Sequence, residues 1–171
     1  MPLTHRLATP ADEPPLLAVM TLAIERLQSA FLTPDQVRAS HGFMGRDGRL
    51  IADASYFVVE RDGAVAGCGG WSRRATPYGN DNSAGRDDRL FDPATEAAKV
   101  RAMYTHPDHV RQGVGMVILS LCEAAARAEG FPALELVATM AGVPLYRRFG
   151  FGEVRAFEDG GVPLILMRKV I

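Results

Sequence analysis

The sequence predicts a mixed α/β fold, and three observations support this prediction. Segments with the apolar spacing of helices alternate with short β-rich segments through the middle of the chain. Hairpin-like pairs of strands flank that alternating region. No repeat, low-complexity tract or evident linker interrupts the 171 residues. We therefore expect one domain, residues 1–171, in which helices pack on a single sheet.

The first third of the chain predicts a short strand followed by two helices. The strand is the β-like segment "HRLAT", and the first helix is "DEPPLLAVMTLAIERLQ", with apolar residues at helical spacing. Its prolines lie in the first turn, where a helix tolerates them. A second short helix is predicted to start at Thr33, because this hydroxyl can cap a helix that begins at the following proline.

A hairpin and a long polar loop come next. The segments "SYFVVER" and "VAGCGGW" read as two strands joined by a tight turn at Asp62-Gly63. Residues 72–95 are rich in Gly, Asp, Asn, Arg and Pro, and long loops within compact domains are more often functional than idle. The side chains that could shape an acceptor pocket here, or equally belong to a solvated loop with one anchoring Trp, are Trp71, Arg73, Arg74 and Tyr78.

The second half predicts strand, helix, strand, helix and a closing hairpin. "AAKVRAMYTH" is the first strand, and its alternation places Val100, Ala102 and Tyr104 on one face. An amphipathic helix follows Gly113 and stops before Gly130. The remaining elements are the strand "FPALELVATM", the short helix "GVPLYRRF" ended by Gly150, and the hairpin "FGEVRAF…VPLILMRKV".

Composition and charge exclude several classes of protein. The formal net charge is −1, so no basic field suggests nucleic-acid binding. The N-terminal segment lacks the apolar core of a secretory signal, and no apolar run is long enough to span a bilayer. We expect a cytoplasmic protein with no membrane partner, in which Cys68 and Cys122 are reduced and buried. The four histidines and two cysteines show no zinc-binding spacing, so no metal is predicted.

A basic corner rich in glycine stands where the amphipathic helix begins. It contains Arg111, Gln112, Gly113 and Gly115, at the end of a predicted strand. The first amides of a helix have no partner within it and carry the positive end of its dipole, so such a corner can hold a phosphate. A Gly-x-Gly pair alone is more often a tight turn, and the spacing fits neither a Walker loop nor the dinucleotide fingerprint.

Two blocks of sequence resemble a known family. The segment "VRAMYTHPDHVRQGVGMVILSLCEAAARAEGF" resembles the central motif of the GCN5-related N-acetyltransferase (GNAT) superfamily, and "LELVATMAGVPLYRRFGF" resembles its next segment. They cover residues 98–152 in the expected order. The resemblance implies a mostly antiparallel twisted sheet, splayed between two parallel central strands and flanked by helices. One departure is Val110, which replaces a polar residue of the motif.

The resemblance implies acetyl-CoA as co-substrate and assigns residues to it. The pyrophosphate would bind the corner, and the pantetheine arm would run along the edge of the preceding strand like an added strand. A bulge in that strand would open a V-shaped slot, where a backbone amide of Met103 or Tyr104 would polarise the thioester carbonyl. The predicted cofactor-binding residues are Met103, Tyr104, Thr105, Arg111, Gln112, Gly113, Val114, Gly115 and Met116.

Tyr146 is the predicted general acid, because it matches the tyrosine that donates to the leaving thiolate in this family. Without the motif it would more often be a packing residue beside Phe149 and Phe151. A general base remains open. The candidates by residue type are Glu135, Glu96, Glu60, His106 or a water chain.

These observations predict an N-acetyltransferase that moves an acetyl group from acetyl-CoA to a primary amine of a small molecule or peptide by direct attack. A non-catalytic acyl-CoA-binding sensor is the alternative, and a nucleotide-phosphate protein is a weaker one. The sequence identifies neither the acceptor nor the oligomeric state, and a homodimer is left open.

Overall fold

A seven-stranded sheet forms the centre of the computed structural model, which describes residues 2–171. The strands are β1 (Thr4–Leu7), β2 (Tyr56–Arg61), β3 (Ala64–Ser72), β4 (Ala98–Thr105), β5 (Ala133–Thr139), β6 (Gly152–Asp159) and β7 (Val162–Val170). Their order across the sheet is β1-β2-β3-β4-β5-β7-β6. Every neighbouring pair is antiparallel except β4 and β5, which are parallel. The predicted fold class is therefore confirmed.

Within residues 2–171, five α-helices pack around the sheet. They are α1 (Glu13–Leu22), α2 (Pro34–Ser40), α3 (Gly48–Ala52), α4 (Val114–Ala128) and α5 (Val143–Phe149). After α1 the chain continues as one π-helical turn, Ala23–Leu27. The sequence did not indicate α3, because five residues are too few for a helical period to be visible.

Local sequence signals explain where several elements begin and end. Thr33 caps α2, and its Oγ1 accepts a hydrogen bond of 3.2 Å from the amide of Gln36. Asp62 and Gly63 both have positive φ, 53° and 78°, as a two-residue hairpin turn requires. Gly150 ends α5 in the left-handed conformation, with φ 107°. These three predictions are confirmed.

Each face of the sheet carries its own hydrophobic core. On one face α4 buries Ile118, Leu119 and Cys122. On the other face, side chains of α1 and the π-helical turn, among them Leu16 and Ile24, form a second buried cluster. Because both faces of the central strands are covered, their side chains are apolar in both directions.

A bulge in β4 changes which side chains share a face. The pairing of β4 with β3 shifts register between the Cys68–Tyr104 and Gly70–Arg101 pairs, and Ala102 adopts a positive φ of 50°. Val100 consequently packs with the α4 core, whereas Tyr104 packs with the α1 core. The prediction that Val100, Ala102 and Tyr104 share one face is wrong, because simple alternation does not survive an inserted residue.

The sheet is open between β4 and β5, on the side of the bulge. β4 and β5 pair only at Ala98–Leu134 and Lys99–Glu135. Beyond these two pairs the strands separate, and the edge of β4 loses its neighbour. The V-shaped slot expected between the two parallel strands is therefore present.

Both cysteines are free and buried. Burial raises the pKa of Cys68 to about 12 and raises that of Cys122 as well. These thiols are packing residues, as predicted. Among residues 2–171, no helix combines the length and the apolar character that crossing a membrane would need.

Candidate active site

A cavity of about 780 Å³ opens at the slot between β4 and β5. Its walls come from the second half of β4, the start of α4, the start of α5, the π-helical turn after α1 and the loop that follows β3. The predicted cofactor-binding residues line it, except Gln112. The two sequence blocks are thus brought to one site by the fold.

The corner before α4 presents unpaired backbone amides. Arg111 and Gly113 both have positive φ, 61° and 89°, and the first helical bond runs from the amide of Val117 to the carbonyl of Gly113, 3.0 Å. Within residues 2–171, no acceptor is in hydrogen-bond geometry with the amides of residues 111–116. Successive free N–H groups at a helix start form a concave donor for an anion.

The two glycines of the corner serve different purposes. A Cβ on Gly113 would meet no atom within 4 Å, so the space above this backbone is open to a ligand. A Cβ on Gly115 would lie 2.5 Å from Cδ2 of Leu145 in α5. Gly113 therefore leaves room for a ligand, whereas a side chain at position 115 would force Leu145 of α5 to move.

Side chains around the corner divide between ligand-facing and structural positions. Arg111 is exposed and lines the cavity. Gln112 instead donates from Nε2 to the carbonyl of Asp108, 3.1 Å, and so holds the turn. His106 accepts a hydrogen bond at Nδ1 from the amide of Asp108, 3.1 Å, in the same turn.

Tyr146 lies on α5, and its side chain forms part of the cavity lining. Its ring packs edge-on against Phe151, with centroids 6.1 Å apart. In the described part of the chain its hydroxyl has no hydrogen-bond partner, and burial raises its pKa to about 12. Tyr146 therefore combines the packing role with a protonated hydroxyl that is free to donate.

The hydroxyl of Tyr104 is engaged inside the protein. The hydroxyl oxygen accepts a hydrogen bond of 2.7 Å from the amide of Gly45, within the core on the α1 side. Burial raises the pKa of this phenol as well.

None of the four protein candidates for a general base lines the cavity. Although burial opposes it, hydrogen bonds from Lys99 and Arg168 lower the pKa of Glu135. The carboxylates of Glu96 and Glu60 accept hydrogen bonds from arginines, Arg89 and Arg6. His106 is likewise held in its turn, so each of the four candidate bases makes its contacts outside the cavity.

Two buried residues of the cavity wall were not found from the sequence. Gln28, just after the π-helical turn, is 5% exposed and lines the cavity. Arg101 is a buried arginine in the cavity wall, on β4. Neither residue belongs to a motif, and only the contacts between distant segments reveal them.

Arg101 fixes the loop after β3 to the cavity. It donates to the carbonyls of Thr76 and Gly79, at 3.0 and 2.8 Å. Its Nη2 also lies 2.8 Å from Oδ2 of buried Asp47, as an ion pair without hydrogen-bond alignment. Of the four side chains suggested for an acceptor pocket, only Tyr78, next to Gly79, lines the cavity.

The other three side chains of that set are structural. Trp71 is buried against Phe131, with centroids 6.0 Å apart. Arg73 and Arg74 form ion pairs with Glu129 and Asp53.

Replacing Arg101 by Met should destabilise the fold by about 1–3 kcal/mol, because the carbonyls of Thr76 and Gly79 lose their donor and buried Asp47 keeps only its ion pair with Arg86. The double change R101M/D47L should recover part of this loss, since no buried carboxylate remains and the partly exposed Arg86 can be solvated. It should remain below the parent because the loop carbonyls stay unpaired. Urea unfolding measures both effects. A double variant no more stable than the single one would contradict this account of the ion pair.

The segments that form this site also match a known protein family. A sequence model of the acetyltransferase (GNAT) domain matches residues 52–153, a span that includes β4, the amide corner and Tyr146. The chain belongs to the GNAT family. No curated protein sequence matches it.

Solved structures of GNAT proteins share its fold over the whole chain. The GCN5-related N-acetyltransferase from Rhodopseudomonas palustris is 18% identical with a TM-score of 0.72, covering 100% of this chain and 97% of that one. The PaiA N-acetyltransferase from Thermoplasma acidophilum, in complex with coenzyme A, is 13% identical with a TM-score of 0.71 and full coverage of both chains. A GNAT family acetyltransferase from Brucella melitensis, in complex with acetyl-CoA, is 16% identical with a TM-score of 0.60, covering 99% and 88%.

Proposed function

We propose that this protein is an acyl-CoA-dependent N-acetyltransferase that moves an acetyl group from acetyl-CoA to a primary amine. Residues 1–171 act as one N-acetyltransferase domain. The observation that carries the proposal is a single cavity that joins three features: the free amides of residues 111–116, the open edge of β4, and the unpartnered hydroxyl of Tyr146. Membership of the GNAT family supports it. A cytoplasmic location stays a prediction of the sequence.

The amide corner is proposed to hold the pyrophosphate of the donor. The amides from Arg111 through Met116 have no competing acceptor among residues 2–171, and Gly113 leaves the space above them open. The fit is one of charge as well as shape, because the helix start and the Arg111 side chain are both positive. Two structural neighbours that carry coenzyme A or acetyl-CoA are consistent with this donor.

The edge of β4 is proposed to hold the pantetheine arm. Met103, Tyr104 and Thr105 line the cavity where β5 has moved away. The amide of His106 donates to the carbonyl of Ala66 on the β3 side, 2.8 Å. Alternation along the ladder then directs the Tyr104 amide to β3 and the Thr105 amide to the slot. Because the Tyr104 amide faces β3, the Met103 amide is the one that remains of the two considered for polarising the thioester carbonyl.

Tyr146 is proposed to donate a hydrogen bond to the sulfur as the thiolate leaves. The acceptor amine attacks the thioester carbonyl directly, so no protein nucleophile is assigned. Since the cavity lining contains no carboxylate in the described part of the chain, we assign removal of the amine proton to water.

Thiol release from acetyl-CoA across a panel of primary amines tests the proposal, with CoA binding measured separately by calorimetry. Amine-dependent thiol release is the expected result. Binding of CoA without turnover on any amine would overturn the enzyme assignment and favour the acyl-CoA sensor.

Acetyl-pantetheine should bind about a hundredfold more weakly than acetyl-CoA. The truncated donor lacks the phosphates, and each charge-assisted hydrogen bond to the corner contributes about 1.5–3 kcal/mol. Competition binding with both donors measures the difference. Equal affinities would mean that the amide corner contributes nothing to donor binding.

A further inference from the structure

One part of the cavity is lined by apolar and aromatic side chains. They come from the π-helical turn and the residues just after it, from the segment after α2, from the loop that follows β3, and from strand β7. We call this part of the cavity the acceptor chamber, defined by Leu27, Phe31, Phe43, Met44, Tyr78 and Leu164. Phe43 and Tyr78 pack edge to face, with centroids 6.1 Å apart. The Tyr78 hydroxyl donates to Asp159, 2.8 Å, so this ring is held in place.

The cavity lining contains basic side chains but no carboxylate among residues 2–171. The basic groups are Arg101, His109, Arg111 and Arg148. Asp47 lies beside Arg101, and Asp159 accepts from Tyr78, yet neither carboxylate is part of the lining. A second ammonium group on a ligand would therefore be desolvated in the cavity without an acidic side chain to pair with it.

Gln28 is a buried polar side chain of the cavity lining. Its Nε2 donates to Oγ1 of Thr139 at the end of β5, 3.1 Å, so the amide bridges the cavity wall from the π-helical turn to β5. Its Oε1 is buried and has no partner among the described residues. A buried acceptor without a partner is costly, and an N–H group of a bound ligand would satisfy it.

We propose that the acceptor is a primary monoamine carrying an aryl or branched alkyl group, and that Gln28 accepts a hydrogen bond from its nitrogen. This inference rests on the proposed acetyl transfer and specifies its second substrate. The apolar group packs in the acceptor chamber, and the amine lies at Gln28 beside the slot. Diamines, polyamines and lysine-rich peptides are disfavoured, because no Asp or Glu lines the cavity in residues 2–171 to pair with a second ammonium group.

The first test compares phenethylamine with 1,4-diaminobutane by thiol release from acetyl-CoA. We expect kcat/KM to favour phenethylamine at least about a hundredfold, because the second ammonium has no carboxylate to pair with. A preference for the diamine would overturn the acceptor class and leave acetyl transfer standing. Absence of turnover on any amine, with CoA still bound, would instead overturn the proposed function, and this inference with it.

A charge introduced at the mouth of the chamber gives a matched test. Phe31 lines the cavity but is 55% exposed, so the variants should fold. Phe31→Glu should move the preference toward the diamine by about threefold to fivefold, relative to the isosteric control Phe31→Gln. Equal preferences in the two variants would contradict a cavity that selects by charge.

The role of Gln28 is tested by a pair of substitutions. Gln28→Met removes the acceptor oxygen at similar volume and should lower kcat/KM for phenethylamine about tenfold, while CoA affinity stays the same. Gln28→Glu keeps an acceptor, and the Thr139 hydroxyl can reverse its hydrogen bond to donate, so activity should be restored. Equal losses in both variants, or a loss of CoA binding, would make Gln28 structural and overturn its assignment.

Discussion

Replacing Tyr146 by Phe is expected to lower kcat by about 10²–10⁴-fold and to leave CoA affinity nearly unchanged. The change removes one hydroxyl and keeps the ring that packs on Phe151. The hydroxyl has no partner in the described protein, so no folded-state hydrogen bond is lost. Its partner in the reaction is a thiolate that is charged only as the thioester breaks, so the interaction affects the rate more than binding.

The state of the Tyr146 proton determines what this hydroxyl can do. Its pKa is raised to about 12 by burial, whereas a thiol titrates near about 8.5. Complete proton transfer to the thiolate would then be uphill by on the order of 5 kcal/mol. The group acts by hydrogen bonding to the developing charge and leaves the final protonation of the thiol to solvent.

Steady-state thiol release and CoA calorimetry on the parent and the variant measure this effect. A raised pKa means that the phenol stays protonated through the neutral range and loses its proton only near pH 12. Parental activity should therefore show no decline from Tyr146 as pH rises from about 6 to 9. A variant with parental kcat would remove Tyr146 from the mechanism. Loss of CoA binding together with kcat would make it structural.

Much of the fold was predictable because its elements carry local signals. The Asp62-Gly63 turn, the Thr33 cap and the end of α5 at Gly150 each depend on one or two residues with a distinct backbone preference. The spacing of apolar residues in the longer segments then predicts which stretches between these points are strands and which are helices.

The bulge in β4 was implied by the family resemblance but not by the local pattern. A Cβ at Gly69, opposite the bulge, would lie 2.8 Å from both Met103 and Ile118. The register is therefore set by close packing among three segments far apart in sequence. The alternation of side chains along β4 does not indicate the bulge, so Val100 was assigned to the wrong face of the sheet.

The residues of the candidate site likewise divide into those with a local sequence signal and those recognised only from contacts between distant segments. The amide corner and Tyr146 lie within contiguous motifs, and the structure brings them to one cavity. Arg101 and Gln28 act through contacts with Asp47 and Thr139, which are distant in sequence. Residue type alone also could not show that Glu135 is held by Lys99 and Arg168.

Replacing Gly113 by Asp should weaken CoA binding strongly, and by more than replacing it by Asn. Both side chains are of one size, and both residues tolerate the left-handed conformation better than most, which φ 89° requires. They differ by one negative charge next to the proposed pyrophosphate. At about 4 Å, such a repulsion is on the order of 1–4 kcal/mol, so the Asp variant should bind at least about fivefold more weakly than the Asn variant.

Gly115 cannot serve for this test, because its substitution acts through packing. Any Cβ there collides with Leu145, so Gly115→Asp would damage the contact between α4 and α5 whatever the ligand. Gly115→Ala should instead lower stability, and adding Leu145→Ala should relieve the collision. The thermal unfolding of the two variants separates this steric effect from any effect on CoA.

Calorimetric titration of CoA into the Gly113→Asp and Gly113→Asn variants, at low and high salt, measures the difference in their CoA affinities. The difference between Asp and Asn should shrink as ionic strength rises, because screening weakens a repulsion between partly exposed charges. A purely steric loss would be equal in the two variants and independent of salt. Parental affinity in the Asp variant would place the pyrophosphate away from residues 111–116, and the free amides at the start of α4 would then need another ligand to explain them.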